Sequence, residues 1–321
     1  MIGSKSWRIS CVVSCRAGAR RLKKSVNHFR PQRVAEIYPA AASIVQLQIA
    51  SEREVCDFLS LNRSSFQAWQ RSGGSERDES DAALLPIVTA VFRKHKRRYG
   101  SRRIIEELKT MDIHCGRRRV SKLMEDAGLR VIQPKSFKPR TTESRHRLGY
   151  SPNLLLNLLE PTTFGQLWVG DITYIPVDGI GFGYLATLMD RYSRRIVGWD
   201  FRDDMTEQLA VTALQRSIRA VQPSAGLIHH TDRGGQYAGK RYRGILSRAS
   251  MRQSMSRAGD CYDNAFMESC FGTLKTEMGM AEYLSMAIAK RELTEYIQYY
   301  NTDRRHSSLG YLTPTQYEAA A

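Results

Sequence analysis

Residues 167–175 read Leu-Trp-Val-Gly-Asp-Ile-Thr-Tyr-Ile, an apolar and β-branched run with a single acid, Asp171, at its centre. Runs of this kind are typical of buried strands. Two similar runs follow at 184–189 and 196–201, and a helical pattern then leads to a short apolar stretch at 226–230. Three strands, a helix and a further strand predict a mixed α/β sheet with a helix on its face.

Two further acids are candidates for the same site as Asp171. Asp232 directly follows the stretch 226–230, and thirty-five residues separate it from Glu268. Because loops that leave strand ends gather sites in open α/β sheets, we expect Asp171 and Asp232 to converge. Carboxylates are the ligands that Mg²⁺ or Mn²⁺ prefers, and two such ions support in-line phosphodiester displacement. Taken singly, each acid would more often be a turn, cap or solvent-exposed residue.

Glu268 falls in a predicted helix, 265–277, whose spacing supports a binding face. At 3.6 residues per turn, Asn264 and Glu268 differ by about 40° and Glu268 and Lys275 by about 20°. We therefore expect a carboxylate for metal and a cation for phosphate on one side of the helix. Tyr174 and His230 flank the acids as supporting residues, although a His at a strand end is more often structural. Asp190 and Asp263 are assigned to turns and caps.

The composition favours a polyanionic partner. The chain has 321 residues, enough for about two domains, and is 42% apolar and 25% charged, which suits a globular protein. It carries 49 Lys and Arg against 32 Asp and Glu, a formal net charge of +17. Nucleic acid binds such surfaces through counterion release, whereas the alternative is a basic face that only meets solvent.

Two helical segments before the strands are candidates for DNA contact. At 51–72, a predicted capping box of Ser51 with Glu54 and a cap at Asn62 indicate a helix-turn-helix-like pair. A polar stretch at 71–81 precedes a second helix-turn-helix unit at 84–129, which starts near Leu84. Three arginines open its last helix, where cations oppose the helix macrodipole unless phosphates lie nearby. The candidates for DNA contact in this unit are Arg102, Arg103, Arg117, Arg118 and Arg119.

The remaining segments are less informative. Residues 130–160 are predicted to be a linker along DNA, since their first part, 130–147, is basic and carries two prolines. Residues 1–50 hold nine Lys or Arg before the first acid, Glu36, and we expect this segment to be poorly ordered. A transit peptide, a nucleic-acid arm or a by-product of the start site all fit it. Scattered cysteines and the lack of an apolar run near 18 residues predict a soluble, cytoplasmic protein, associated with the nucleoid when bound to DNA.

The motifs around the three acids resemble the DDE transposases of bacterial insertion sequences, in particular the second-frame product, OrfB, of the IS-three family, within the retroviral-integrase superfamily. The resemblance spans about Pro161 to the C-terminus, and the segment 99–128 resembles that family's helix-turn-helix. It rests on Trp168-Val169-Gly170-Asp171-Ile172-Thr173-Tyr174, His230-Thr231-Asp232-Arg233-Gly234-Gly235-Gln236-Tyr237, Ser254-Met255-Ser256-Arg257, Glu268-Ser269, Leu274-Lys275 and His306-Ser307-Ser308-Leu309-Gly310-Tyr311.

This resemblance implies an RNase H-like catalytic domain at 161–321 in which Asp171, Asp232 and Glu268 hold two Mg²⁺ or Mn²⁺ ions. It also implies nicking at element ends, strand transfer by a 3′-hydroxyl, and a DNA contact by Lys275. The expected partners are double-stranded DNA, as element ends and target, further copies of this chain on that DNA, and an upstream-frame protein, OrfA.

The chain departs from that family in a feature linked to the upstream frame. Family members commonly carry a leucine zipper from the upstream frame, but Leu22 and Leu47 are the only leucines before residue 50. No heptad seam is therefore present there. Two other functions stay open at this point: a DNA-binding regulator of transposition, which the three acids disfavour, and a nuclease without strand transfer.

Overall fold

The computed structural model describes residues 34–72, 76–133, 149–156, 160–257, 265–279 and 282–321. The chain divides into two compact units, Met1–Ile87 and Val88–Ala321. The division falls inside a helix, and the second unit contains both the last part of the predicted helix-turn-helix unit and the predicted catalytic domain.

Three short helices make up the described core of the first unit: α1 (Val34–Gln46), α2 (Glu52–Leu59) and α3 (Arg63–Ser72). They pack around Tyr38 and Phe66, whose rings meet edge to face at 5.4 Å. The predicted capping box is confirmed, because Ser51 and Glu54 exchange hydrogen bonds at the start of α2. Asn62 likewise accepts from the backbone N–H of Ser65. Local sequence signals therefore set both helix starts.

The second helical segment begins earlier than predicted. Helix α4 (Glu76–Lys94) starts eight residues before Leu84 and is followed by α5 (Ser101–Lys109) and α6 (Arg117–Asp126). The prediction treated 71–81 as a polar spacer, but acids such as Asp78 and Glu79 are favourable near a helix N-terminus. The polar residues of this stretch belong to the exposed start of the helix. The predicted start at Leu84 was wrong because the prediction treated these residues as a spacer.

Within the described residues, one sheet of five strands follows. Its strands are β1 (Leu167–Val177), β2 (Gly181–Asp190), β3 (Ile196–Arg202), β4 (Ile228–Thr231) and β5 (Arg252–Met255), in the spatial order β3-β2-β1-β4-β5. Strands β1 to β3 pair antiparallel, whereas β4 pairs parallel with both β1 and β5. This arrangement confirms the predicted mixed α/β, RNase H-like sheet.

Helices cover both faces of the sheet. On one face, α7 (Glu207–Val221) and α9 (Lys240–Arg248) pack against Trp168 and Leu188. On the other, α10 (Ala265–Glu277) and α11 (Met286–Thr302) pack against Val169 and Met189. Neighbouring strand residues point to opposite faces, so one strand serves both cores. The remaining elements are α8 (Gly235–Ala238), a 3₁₀ turn (Ser307–Leu309) and α12 (Pro314–Ala319).

Two features of this domain were not predicted. The edge strand β5 lies in a polar stretch, and polar residues on an edge strand give little periodic signal. Part of the predicted linker 130–160 also lies against this strand: Leu154 donates its backbone N–H to Ser254 Oγ at 2.9 Å, and Ser151 donates to Gln253. Residues 134–148 and 157–159 of that segment, and all of 1–33, lie outside the described residues. No helix in the described ranges is long and apolar enough to cross a membrane.

Candidate active site

The sheet register places two of the three acids side by side. Gly170 of β1 pairs with Thr231 of β4 in parallel, and Asp171 and Asp232 each come next in their strands' direction. Asp171 accepts the backbone N–H of Ile172 at 2.8 Å. The Asp232 carboxylate accepts from Gly234 N–H at 2.9 Å, which holds the loop after β4.

A buried phenol reports the same convergence. The pKa of Tyr237 lies well above its usual value, first because the ring is buried and then because the Asp171 and Asp232 carboxylates both oppose its ionisation. Tyr237 belongs to α8, the short helix that follows the Asp232 loop. Both carboxylates therefore lie near one side chain, where β4 ends beside the middle of β1.

Helix α10 brings a cation to the part of β1 that carries Asp171. Lys275 places its Nζ over the Tyr174 ring, 4.0 Å from the centroid. Burial lowers the pKa of Lys275, while the nearby Asp171 carboxylate acts in the opposite direction. Tyr174 itself is buried and meets Phe182 edge to face. The predicted supporting residue Tyr174 is thus a platform for the lysine chain.

Glu268 lies on the first turn of α10, exposed and about 10 Å along the helix axis from Lys275. Among the described residues, no three His, Cys, Asp or Glu side chains are close enough together to hold a metal ion. The strand register places Asp171 and Asp232 on neighbouring strands, and Glu268 comes from α10, the helix that packs against β1. Asn264 and Asp263 lie outside the described residues, so the predicted face has only Glu268 and Lys275 described.

The donor chemistry of the site fits a hard divalent cation. Its two converging ligands offer only carboxylate oxygen, which Mg²⁺ and Mn²⁺ prefer over softer metals. Each aspartate accepts a hydrogen bond from a backbone N–H, Asp171 from Ile172 and Asp232 from Gly234. Two carboxylates on neighbouring strands therefore offer hard oxygen ligands within a basic protein.

His230 lies behind this site and not in it. Its ring is fully buried, with Nδ1 2.8 Å from Ser254 Oγ and Nε2 3.1 Å from Ser256 Oγ. These contacts join β4 to β5 and its continuation, where Arg233 also donates to the Ser256 carbonyl at 2.7 Å. The histidine and two serines of the motif thus hold the strand that carries Asp232. Asp190, predicted as a turn residue, accepts from Ser193 and Gly165 backbone N–H groups and confirms that assignment.

The basic residues of the helix-turn-helix unit divide into two groups. Arg102, Arg117 and Arg118 are exposed. Gly116 is the N-cap residue of α6 and supplies no side-chain cap, and the first turn of α6 contains no acid. Arg103 instead lies 3.4 Å from the Glu277 carboxylate and over the Tyr99 ring. Its guanidinium is thus engaged inside the protein, which leaves the other arginines as the better-placed candidates for DNA.

Glu277 belongs to a buried cluster that sequence reasoning did not find. It ends α10, and its carboxylate accepts from Arg304 at 2.8 to 3.0 Å and from Tyr296 at 3.1 Å. Arg98 donates to its backbone carbonyl. The helix that carries Glu268 is therefore tied down at its far end by residues from α11, from beyond α11 and from the segment around α5. Charged residues so far apart in sequence give no local signal of such pairing.

Comparison with known families agrees with this architecture. Residues 161–261 and 249–314 match two families that are each described as an integrase core domain, and residues 79–137 match an HTH-like domain. The predicted helix-turn-helix in this part of the chain is thereby confirmed. Among solved structures, the magnesium complex of the HTLV-2 integrase catalytic core domain (trimeric form) is 14% identical, with a TM-score of 0.41, covering 49% of this chain and 98% of that one.

Curated relatives cover most of the chain. The transposase InsF for insertion sequence IS3A of Escherichia coli (strain K12) is 37% identical over 272 residues, which are 84% of this chain and 94% of that protein. The transposase for insertion sequence element IS904 of Lactococcus lactis subsp. lactis (strain IL1403) is 39% identical over 237 residues, 73% of this chain and 93% of that one. With its HTH-like domain followed by an integrase core domain, the chain belongs to the transposases of IS3-type insertion sequences.

Proposed function

We propose that this transposase cuts DNA at the ends of its insertion sequence and joins the freed 3′-hydroxyls to target DNA by metal-dependent phosphodiester transfer. The observation that carries the proposal is the convergence of Asp171, in the middle of β1, and Asp232, just after β4, in an integrase core domain. Neither step requires a covalent protein intermediate, because the attacking group is a water or a DNA hydroxyl.

Asp171, Asp232 and Glu268 are the residues that would hold two Mg²⁺ or Mn²⁺ ions. Bound there, such ions activate the attacking oxygen and stabilise the leaving oxygen of the displacement. Asp171 and Asp232 are already adjacent, and Glu268 lies on the helix that packs against β1. The protein's own contribution is to fix two carboxylates on rigid strands, so that little reorganisation accompanies the reaction.

Lys275 orients the DNA at this point. Its ammonium group lies on the Tyr174 ring near Asp171, which places a cation beside that carboxylate. A phosphate whose bond is to be broken carries negative charge that the carboxylates repel, and a fixed cation offsets that repulsion. Lys275 therefore holds the scissile phosphate against the site, and Asn264 is proposed to share this contact.

The helix-turn-helix unit holds the DNA away from the chemistry. Arg117, Arg118 and Arg119 start α6, and Arg102 lies in the first turn of α5. Helix starts with exposed arginines are suited to phosphate contacts, which set the register of a protein on a duplex. Two element ends must be processed together, so we propose that further copies of the chain assemble on DNA in the bacterial cytoplasm, with an upstream-frame OrfA as the second protein partner.

The test uses the full chain, its upstream-frame protein, Mg²⁺ and labelled element-end and target duplexes. Asp232→Asn should lower cutting and joining together by more than about 100-fold, since even substitutions beside metal ligands cost 10- to 100-fold. Asp204→Asn, an exposed loop residue before α7, is the matched control and should act as the wild type. Cutting that survives in Asp232→Asn would overturn the proposal, and cutting without joining in the wild type would make the chain a nuclease.

A further inference from the structure

Helix α9 carries a second basic surface that the proposed active site does not use. It contains Lys240, Arg241, Arg243 and Arg248 and no acid. Tyr242, Ile245 and Leu246 face the core, whereas Lys240, Arg241 and Arg248 are exposed. At 100° per residue, positions 240, 241, 244 and 248 fall within an arc of about 100°. We call Lys240, Arg241, Gly244 and Arg248 the basic face of α9.

The glycine at the centre of this face has no structural reason to be there. A Cβ on Gly244 would meet only the Arg248 guanidinium, at an ordinary contact distance of 3.5 Å. Its φ is not in the left-handed region, so the backbone does not require glycine either. Glycine inside a helix lowers stability relative to alanine, and one of its uses is to let a ligand approach the backbone closely. Bare backbone is thus presented between three cations.

The cations of this face are available to a ligand. Within the described part of the chain, Lys240 and Arg248 form no ion pair, and neither does Arg252, which is exposed at the start of β5. Arg241 donates to the neutral Gln208 side chain. The neighbouring carboxylate of Glu207 accepts the backbone N–H of Tyr242 at 3.1 Å and so is directed at the helix start.

We propose that the basic face of α9 binds the phosphate backbone of a DNA duplex that extends away from the active site. Only α8 separates α9 from the Asp232 loop in the chain, and Lys240 follows Asp232 by eight residues. From Lys240 to Arg248 it is about 12 Å long, which matches three to four steps of one DNA strand at about 3.4 Å each. The proposal rests on the proposed function, because it needs DNA at the Asp232 end of the sheet.

Such contacts neutralise phosphates and position the duplex without selecting its sequence. The insertion sequence's own end and target DNA present the same phosphate backbone. Binding is therefore measured with two probes, an element-end duplex and an unrelated duplex of equal length. An effect on the first assigns the face to the element end, and an effect on the unrelated duplex as well assigns it to duplex DNA in general.

The experiment measures dissociation constants by fluorescence anisotropy across a salt series, with the full chain and no added metal. Replacing Lys240, Arg241 and Arg248 together by Gln should weaken binding and reduce the salt slope by about two to three, at about 0.9 per phosphate contact. Lys290→Gln with Arg291→Gln, exposed cations of α11 on the other side of the sheet, is the charge control and should leave the slope within about one contact.

Gly244→Ala separates a binding role from a structural one. A better helix former with open space around it should raise the melting temperature, yet the added methyl group should weaken DNA binding several-fold, and Gly244→Leu should weaken it further. Wild-type binding by the Gln variant and by both Gly244 variants would overturn the proposal. Because no cutting is measured, this result stands apart from the Asp232→Asn test: either can fail while the other holds.

Discussion

At the residue scale, the glycine that precedes Asp171 packs directly against a buried histidine. Gly170 precedes Asp171 on β1, and a Cβ there would lie 2.8 Å from His229 Cε1. That ring is fully buried, and its Nε2 is 2.7 Å from the Tyr242 hydroxyl. The imidazole is therefore held in place, and a side chain at Gly170 would have to displace it.

Gly170→Ala should consequently destabilise the fold by about 1 to 3 kcal/mol, the usual cost of overpacking a filled core. It should also lower DNA joining, because the displaced His229 ring belongs to β4, the strand that leads to Asp232. Urea unfolding gives the first quantity and the joining assay gives the second.

The matched stability control is Gly272→Ala on α10. A Cβ at Gly272 would meet nothing within 4 Å, so this substitution should be neutral or stabilise by up to about 1 kcal/mol. Equal unfolding midpoints for the wild type and Gly170→Ala would show that the sheet has room at this position, contrary to our expectation.

At the element scale, α10 is held by a buried ion pair at the end opposite Glu268. Glu277 is 7% exposed and Arg304 is 4% exposed, and the two share three short hydrogen bonds. Breaking a buried pair by removing one partner typically costs about 3 to 5 kcal/mol, because the other charge stays buried without compensation. We expect Glu277→Ala to cost this much in the free energy of unfolding.

A double variant distinguishes the uncompensated charge from lost packing. Glu277→Leu with Arg304→Met removes both charges and should recover most of the loss, since apolar replacement of a buried pair is often near neutral. Chemical unfolding of Glu277→Leu, of Arg304→Met and of the double variant provides the comparison. A double variant as unstable as the sum of the singles would contradict this account of the cluster.

At the scale of the whole molecule, two buried histidines couple stability to pH. Burial lowers the pKa of His229 to about 3, with His230 adding to the effect, and burial beside Arg304 lowers the pKa of His306 to about 3. In the unfolded chain each should return to about 6.5. The stability that comes from keeping them neutral is therefore fully present above pH 6.5 and is lost as the pH falls towards 3.

Between pH 6.5 and 4.5 the free energy of unfolding should fall by about 1.4 kcal/mol per pH unit for each histidine. Urea unfolding followed by tryptophan fluorescence at pH 7.5, 5.5 and 4.5 measures this slope. His229→Gln keeps a polar partner for Tyr242 and removes one titrating group, so its slope should be about half. A free energy of unfolding that does not change over this interval would contradict the lowered pKa values of His229 and His306.

The catalytic sheet was predictable because its signals are local. Alternation and β-branching around Asp171 gave β1, and the same pattern gave β2 and β3, to within a few residues. The strand β5 and the start of α4 were missed, since polar residues give weak periodicity whether they belong to an edge strand, a helix start or a loop. The caps at Ser51 and Asn62 were found because capping acts over three residues.

The sequence by itself determined the chemistry on offer: three acids, a lysine on the helix of the third acid, and an excess of basic charge. Only the tertiary structure decided which of these groups meet. Parallel pairing of β1 with β4 places Asp171 beside Asp232, and α10 brings Lys275 to the Tyr174 ring. Tertiary packing also engages Arg103, which is only partly exposed, with the Glu277 carboxylate. Strand register and the burial of distant charges depend on contacts between residues far apart in the chain, which no local pattern records.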